Sequence, residues 1–125
     1  MDRTIVHFEL PANDPAKLSQ FYSKLFGWTF EKWGGSSEGM EYWMIKTRAK
    51  DDSMGTDGGM MKKQDPNQKP INYVLVESVD DFSKKITQLG GKIMMPKTEI
   101  PNMGYFAMAL DPEGNGFGIF ESKGP

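Results

Sequence analysis

Leu18, Phe21, Tyr22, Leu25 and Phe26 recur at the three- and four-residue spacing of one helix face, with mostly polar residues between them. Asp14 is placed to cap the first turn, because a carboxylate accepts from amide groups that have no intrahelical partner. Pro15 suits the first helical position, and Gly27 can adopt the left-handed conformation that ends a helix. The pattern predicts a helix over 15–26. Phe82, Ile86 and Leu89 repeat the stripe behind Ser78, with Asp81 three residues on as a capping box, and Gly90-Gly91 stop it. A shift of 64 positions carries Leu18 onto Phe82, Tyr22 onto Ile86, Leu25 onto Leu89 and Gly27 onto Gly91. It also carries Asp14 onto Ser78, and the strand-like segment 7–10 onto 71–74.

Each helix is followed by three strand-like segments. They span 28–33, 40–47 and 58–62 in the first half, and 92–95, 104–110 and 116–121 in the second. Turn-forming residues separate them at Gly34-Gly35-Ser36-Ser37, Lys50-Asp51-Asp52-Ser53 and 111–116. A polar, proline-containing connector covers 63–70. The pattern predicts one α+β domain over 1–125, with halves of approximately 1–63 and 70–125. Each half is a βαβββ module, and together they would form one curved mixed sheet with a central cleft.

Composition narrows the chemistry. The chain has no cysteine, which excludes disulfides, thiolate metal sites and cysteine nucleophiles. A net charge of −2 leaves no electrostatic footprint for nucleic acid or an anionic membrane. No apolar run approaches the roughly 18 residues that span a bilayer. The chain enters a strand-like segment at Thr4 without a basic and apolar leader, so a cytoplasmic protein without a signal peptide is expected. Ten methionines and 12% aromatic residues suit an adaptable core or an apolar pocket.

Longer motifs point to a family. They are His7, Asn13-Asp14-Pro15, Phe21-Tyr22 and Leu25-Phe26-Gly27-Trp28 in the first half. In the second they are Gly90-Gly91-Lys92-Ile93, Met95-Pro96, Ile100-Pro101, Gly104 and the run Asp111-Pro112-Glu113-Gly114-Asn115-Gly116-Phe117-Gly118-Ile119. Over nearly its whole length the chain resembles the glyoxalase/bleomycin resistance protein/extradiol dioxygenase (vicinal oxygen chelate) superfamily. The subgroup it resembles most is that of predicted enzymes related to lactoylglutathione lyase. The resemblance implies paired βαβββ modules making a cupped sheet, usually in homodimers. It also implies, in metal-using members, one divalent ion held by four side chains, two from each half. Those positions fall on His7, on Ile71, near Gly59 and near Gly118; their neighbours Gly58, Met60, Pro70, Asn72, Phe117 and Ile119 are poor ligands. A divalent ion at a catalytic site typically needs three protein ligands. The expectation is no metal of the family's kind and no other cofactor. That sets glyoxalase I and ring-cleaving dioxygenase activity well down.

His7 is the single histidine and stands at the family's site position. It is the candidate general base or ligand-binding group, against the alternative of an ordinary strand histidine. Glu9 lies two residues on, on the same side of the strand, and is its candidate partner; solvated surface is the plain alternative. Tyr73 is the counterpart of Glu9 under the 64-residue shift. It is a candidate ligand-binding residue, as are Trp43, Met61 and Met103, though core packing explains such residues more often. The segment 96–102 is expected to be a loop, and a lid or an ordinary prolyl loop are both open. Asp111-Pro112-Glu113-Gly114 reads as a type I turn rather than paired catalytic carboxylates. Gly114, Gly116 and Gly118 join strand to strand, so the helix N-terminus of a phosphate loop is missing.

Three functions remain open. The first is binding of a small apolar or aromatic molecule without a metal. The second is a lyase or isomerase using His7 and Glu9 for proton transfer. The third is a non-catalytic interaction module.

Overall fold

The computed structural model describes residues 2–33, 41–50 and 54–123. The turn predicted at 34–37, part of that at 50–53, and Met40 at the start of a predicted strand lie outside the described residues. The chain is α+β and divides into two compact units, residues 7–70 and residues 2–6 with 71–123. Among the described residues no helix is long and apolar enough to cross a membrane.

The first unit holds β1 (Ile5–Ala12, from His7 on), α1 (Pro15–Phe26), β2 (Thr29–Lys32), β3 (Tyr42–Lys46) and β4 (Gly58–Lys62). Its strand order is β2-β3-β4-β1, with β1 parallel to β4 and the other pairs antiparallel. Asp14 caps α1 as predicted, accepting from the Lys17 amide at 3.2 Å. Gly27 ends it at φ +77°. The core lies between α1 and one face of the sheet. Ala12, Ile45 and Met60 are buried there, with Phe8, Leu10, Leu18, Trp28, Phe30 and Trp43 packed against them.

The helix stripe departs from expectation. Phe21, Leu25 and Phe26 are 57%, 57% and 58% exposed. Leu18 packs into the core, and Tyr22 stacks on Trp28 at 5.2 Å.

The second unit repeats the plan with β5 (Ile71–Leu75), α2 (Val79–Gln88), β6 (Lys92–Ile100), β7 (Gly104–Leu110) and β8 (Gly116–Ser122). Its order is β5-β8-β7-β6, with β5 parallel to β8. Ser78 caps α2, and the Glu121 carboxylate accepts the Val79 amide at 2.9 Å, a second cap from β8. Val76, Val79, Ala107 and Ile119 form the core, with Phe82 and Ile86 against it. Leu89, predicted to share this stripe, is 80% exposed because the helix ends one residue earlier. The turn at 111–116 forms as expected, with the Asp111 carboxylate accepting from the Glu113 and Asn115 amides.

The predicted loop at 96–102 is largely strand. β6 continues to Ile100, and Thr98, Glu99 and Ile100 pair with Phe106, Tyr105 and Gly104. Proline cannot donate to the ladder, yet an outer strand accommodates it with a register irregularity, here between Met95 and Thr98. A segment held in a sheet ladder is not a lid, so that expectation is corrected.

Candidate active site

Side chains alternate along a strand, so β1 divides its residues between two faces. Phe8, Leu10 and Ala12 join the core beneath α1. His7 and Glu9 take the other face. Glu9 pairs with Gly59 and Met44 pairs with the same Gly59, which puts Glu9, Gly59 and Met44 in one row across β1, β4 and β3. Tyr42 and Met61 form the next row on that face.

Tyr42 crosses from β3 over β4 to reach β1. It can do so because Gly59 has no side chain: a Cβ there would overlap the hydroxyl and ring carbons of Tyr42. The Tyr42 hydroxyl donates to Glu9 Oε2 at 3.0 Å and lies 2.8 Å from His7 Nε2. Trp33 meets the Tyr42 ring edge-on at 5.9 Å. Histidine, tyrosine and carboxylate thus form one hydrogen-bonded chain on a sheet face.

Burial pushes the His7 pKa below its ordinary value, and the Asp57 carboxylate opposes this. Asp57 precedes β4 and is itself held. It accepts from Arg48 at 2.9 Å and from the Thr47 amide at 3.0 Å. The Arg48 hydrogen bond leads in lowering its pKa to about 2. The direction of this shift favours the neutral imidazole, the form that can accept a proton.

The same shift has a consequence for folding. The unfolded chain binds a proton at His7 more readily than the folded one. Its contribution to stability is thus fully present above the ordinary pKa of 6.5 and is lost as pH falls below it toward the folded value. An NMR titration of the single histidine should show a midpoint below 6.5, rising toward it in urea.

The predicted residues divide in three. His7, Glu9 and Met61 share the face just described, where Met61 accepts a hydrogen bond from the Gln68 amide nitrogen at 3.6 Å. Trp43 lies on the opposite face, in the core under α1. Tyr73 and Met103 belong to the second unit. Tyr73 is 6% exposed, lies over Gly118 and meets Phe106 edge-on at 6.2 Å. Met103 sits in the turn between β6 and β7, 42% exposed. Sequence reasoning misses Tyr42, Asp57 and Arg48. The one signal for Tyr42 is the Gly58-Gly59 pair, which marks a close approach to the strand.

The two units can be compared position by position. Glu9 pairs with Gly59, and Tyr73 pairs with Gly118. Residues 64 apart thus face equivalent glycines. In each unit a tyrosine ring fills the space that a side chain at the glycine would need. The resemblance puts the four positions of a divalent ion at His7, at Ile71 and near Gly59 and Gly118, and of these four residues only His7 carries a side-chain donor.

The family model described as Glyoxalase/Bleomycin resistance protein/Dioxygenase superfamily matches residues 4–119. The chain belongs to this superfamily. Among curated proteins it is 26% identical, over 117 residues, to CFP32 of Mycobacterium bovis and of Mycobacterium tuberculosis, proteins that carry a provisional glyoxylase name. The match covers 92% of this chain and 44% of theirs, so the chain spans less than half the length of these relatives. Solved structures place the superfamily fold along the chain. BH1468 of Bacillus halodurans superposes with a TM-score of 0.75 at 10% identity, covering 100% of this chain and 98% of its own. Methylmalonyl-CoA epimerase of Mycobacterium tuberculosis gives 0.70 at 10% identity, covering 96% and 88%. A Streptomyces coelicolor methylmalonyl-CoA epimerase in complex with 2-nitronate-propionyl-CoA gives 0.72 at 14%, covering 98% and 100%. At such identities these likenesses establish the fold alone.

Proposed function

We propose that this superfamily member is an isomerase or lyase that moves a proton on a small carbonyl compound, with His7 as the base and no divalent ion. The observation that carries this is the hydrogen-bonded chain from His7 through Tyr42 to Glu9. A neutral imidazole oriented by a hydroxyl that a carboxylate holds in place is suited to taking a proton at neutral pH. A carbon next to a carbonyl is the natural donor, since the carbonyl delocalises the charge left behind. The epimerases among the structural neighbours are named for methylmalonyl-CoA, a thioester of this general kind. A second reading is binding without turnover. It is favoured by Trp33, Met44 and Met61, which give the same face an apolar share. We also propose that two copies pair, supported by the apolar flank of α1 left exposed at Phe21, Leu25 and Phe26.

The test is hydrogen–deuterium exchange by NMR in D2O, with methylmalonyl-CoA, lactoylglutathione and simple 2-oxo acids as substrates. The protein should catalyse loss of the proton next to the carbonyl in at least one. His7→Ala should slow that exchange by roughly 10²–10⁴-fold. Stabilisation against heat by a compound that never exchanges would shift the assignment to binding. Stoichiometric nickel, zinc, iron or manganese in the purified protein would overturn the metal-free part.

A further inference from the structure

We infer that Tyr42 and Glu9 form a proton relay behind His7, with Glu9 as the terminal acceptor. The inference rests on the reading of His7 as the base and deepens it. A phenol has one proton to give, and a carboxylate can only accept. Tyr42 donates to Glu9, so its oxygen must accept from His7, and His7 Nε2 carries the hydrogen. With Glu9 ionised, this assigns the tautomer with Nε2–H toward Tyr42 and makes Nδ1 the accepting nitrogen of the ring.

Burial governs the next step. Half-buried and partly desolvated, the imidazole holds a positive charge poorly. The Glu9 and Asp57 carboxylates lie near it, and Arg48 already offsets Asp57 at 2.9 Å. A relay avoids the cation. As the substrate C–H bond breaks, its electron pair moves into the carbonyl to form an enolate, and the proton forms a bond to Nδ1. The Nε2 proton passes to the Tyr42 oxygen, and the Tyr42 hydroxyl proton passes to Glu9. His7 ends neutral as the other tautomer, Tyr42 is again a phenol, and Glu9 is a neutral acid. The negative charge has moved from Glu9 to the substrate. Reversal returns the proton to the same face of the same carbon or to a neighbouring atom, and inversion requires the enolate to turn its other face to Nδ1. Tyr42 and Glu9 act through His7 and are positioning residues in this scheme.

Gly59 makes the arrangement possible by leaving the path across β4 open. The equivalent place in the second unit holds Tyr73 over Gly118, with Ile71 where His7 would be, so the relay belongs to one half only.

The test needs no substrate at first. Long-range ¹H–¹⁵N correlation of the single histidine at pH 8 reads its tautomer directly. The Nε2–H form should dominate, and Tyr42→Phe should convert it to a mixture. A dominant Nδ1–H form, or a tautomer unchanged in Tyr42→Phe, overturns the inference and leaves His7 as the proposed base untouched. The second arm uses methylmalonyl-CoA, lactoylglutathione or a 2-oxo acid, whichever exchanges in D2O. Glu9→Gln keeps an acceptor for Tyr42 but cannot take its proton. It should slow exchange about as much as Tyr42→Phe, roughly 10²-fold, with no further loss in the double variant. Full exchange by Glu9→Gln also overturns the relay, whereas full exchange by His7→Ala overturns the underlying reading of the base.

Discussion

Gly59→Ala is expected to cut proton transfer by roughly 10²-fold while leaving the protein folded. The added methyl group would occupy the space now taken by the Tyr42 hydroxyl and the adjoining ring carbons. It meets the far end of a half-buried side chain, not backbone, so Tyr42 can swing away at a cost of about 1 kcal/mol. The hydrogen-bonded chain is then lost, since the hydroxyl leaves both His7 and Glu9. Every residue of the site remains chemically present in this variant. Exchange in D2O, the histidine tautomer and the melting temperature should be measured together. Loss of the first two with a midpoint shifted by only a few degrees is the expected outcome. Unchanged exchange in a protein whose tautomer has changed would show that Tyr42 has no part in catalysis.

Gly104→Ala should do the opposite, destabilising the fold without addressing the site. Gly104 opens β7 with φ +155°, a backbone conformation that side chains disfavour. An added Cβ would also run into the Glu121 carbonyl of β8. Here the obstacle is backbone, held in the ladder by Tyr105 opposite Glu121 and Gly104 opposite Ser122. Strain and overlap together should cost about 3–5 kcal/mol, a large share of a stability of order 5–15. The damage should spread, because the Glu121 carboxylate also caps α2 at Val79. The melting midpoint should fall by roughly 10–20 °C. A fall of less than a few degrees would mean that β7 and β8 can separate locally at little cost.

The periodic parts of the fold are legible in the sequence. Both helix starts, both caps and the strands at 58–62 and 104–110 follow from spacing and turn chemistry, because those signals act over a few neighbouring residues. Legibility ends where a residue's role depends on what lies across the sheet. Pro96 and Pro101 suggest a loop, but pairing with β7 outweighs local preference for most of the segment. Phe21 and Leu25 read as core from their spacing, yet spacing marks an apolar face without saying how much of it a partner covers, and both are exposed. His7 and Glu9 can be paired from alternation alone. Tyr42 cannot, since 33 residues separate it from Glu9, and only the register of two strand pairs brings them together. Trp43, its neighbour in sequence, suggests itself for the ligand face, and a single step in alternation sends it under α1 instead.

The outer strand of the second unit carries a consequence for handling the protein. Among the described residues β6 has no strand partner on one edge, and nine residues of it would ordinarily invite another chain to add on. Pro96 interrupts the row of amide donors, and the register irregularities beside it spoil a straight template. Fibre growth by strand addition is therefore guarded against along this border, and concentrated samples that associate should do so by a route that keeps the sheets unextended.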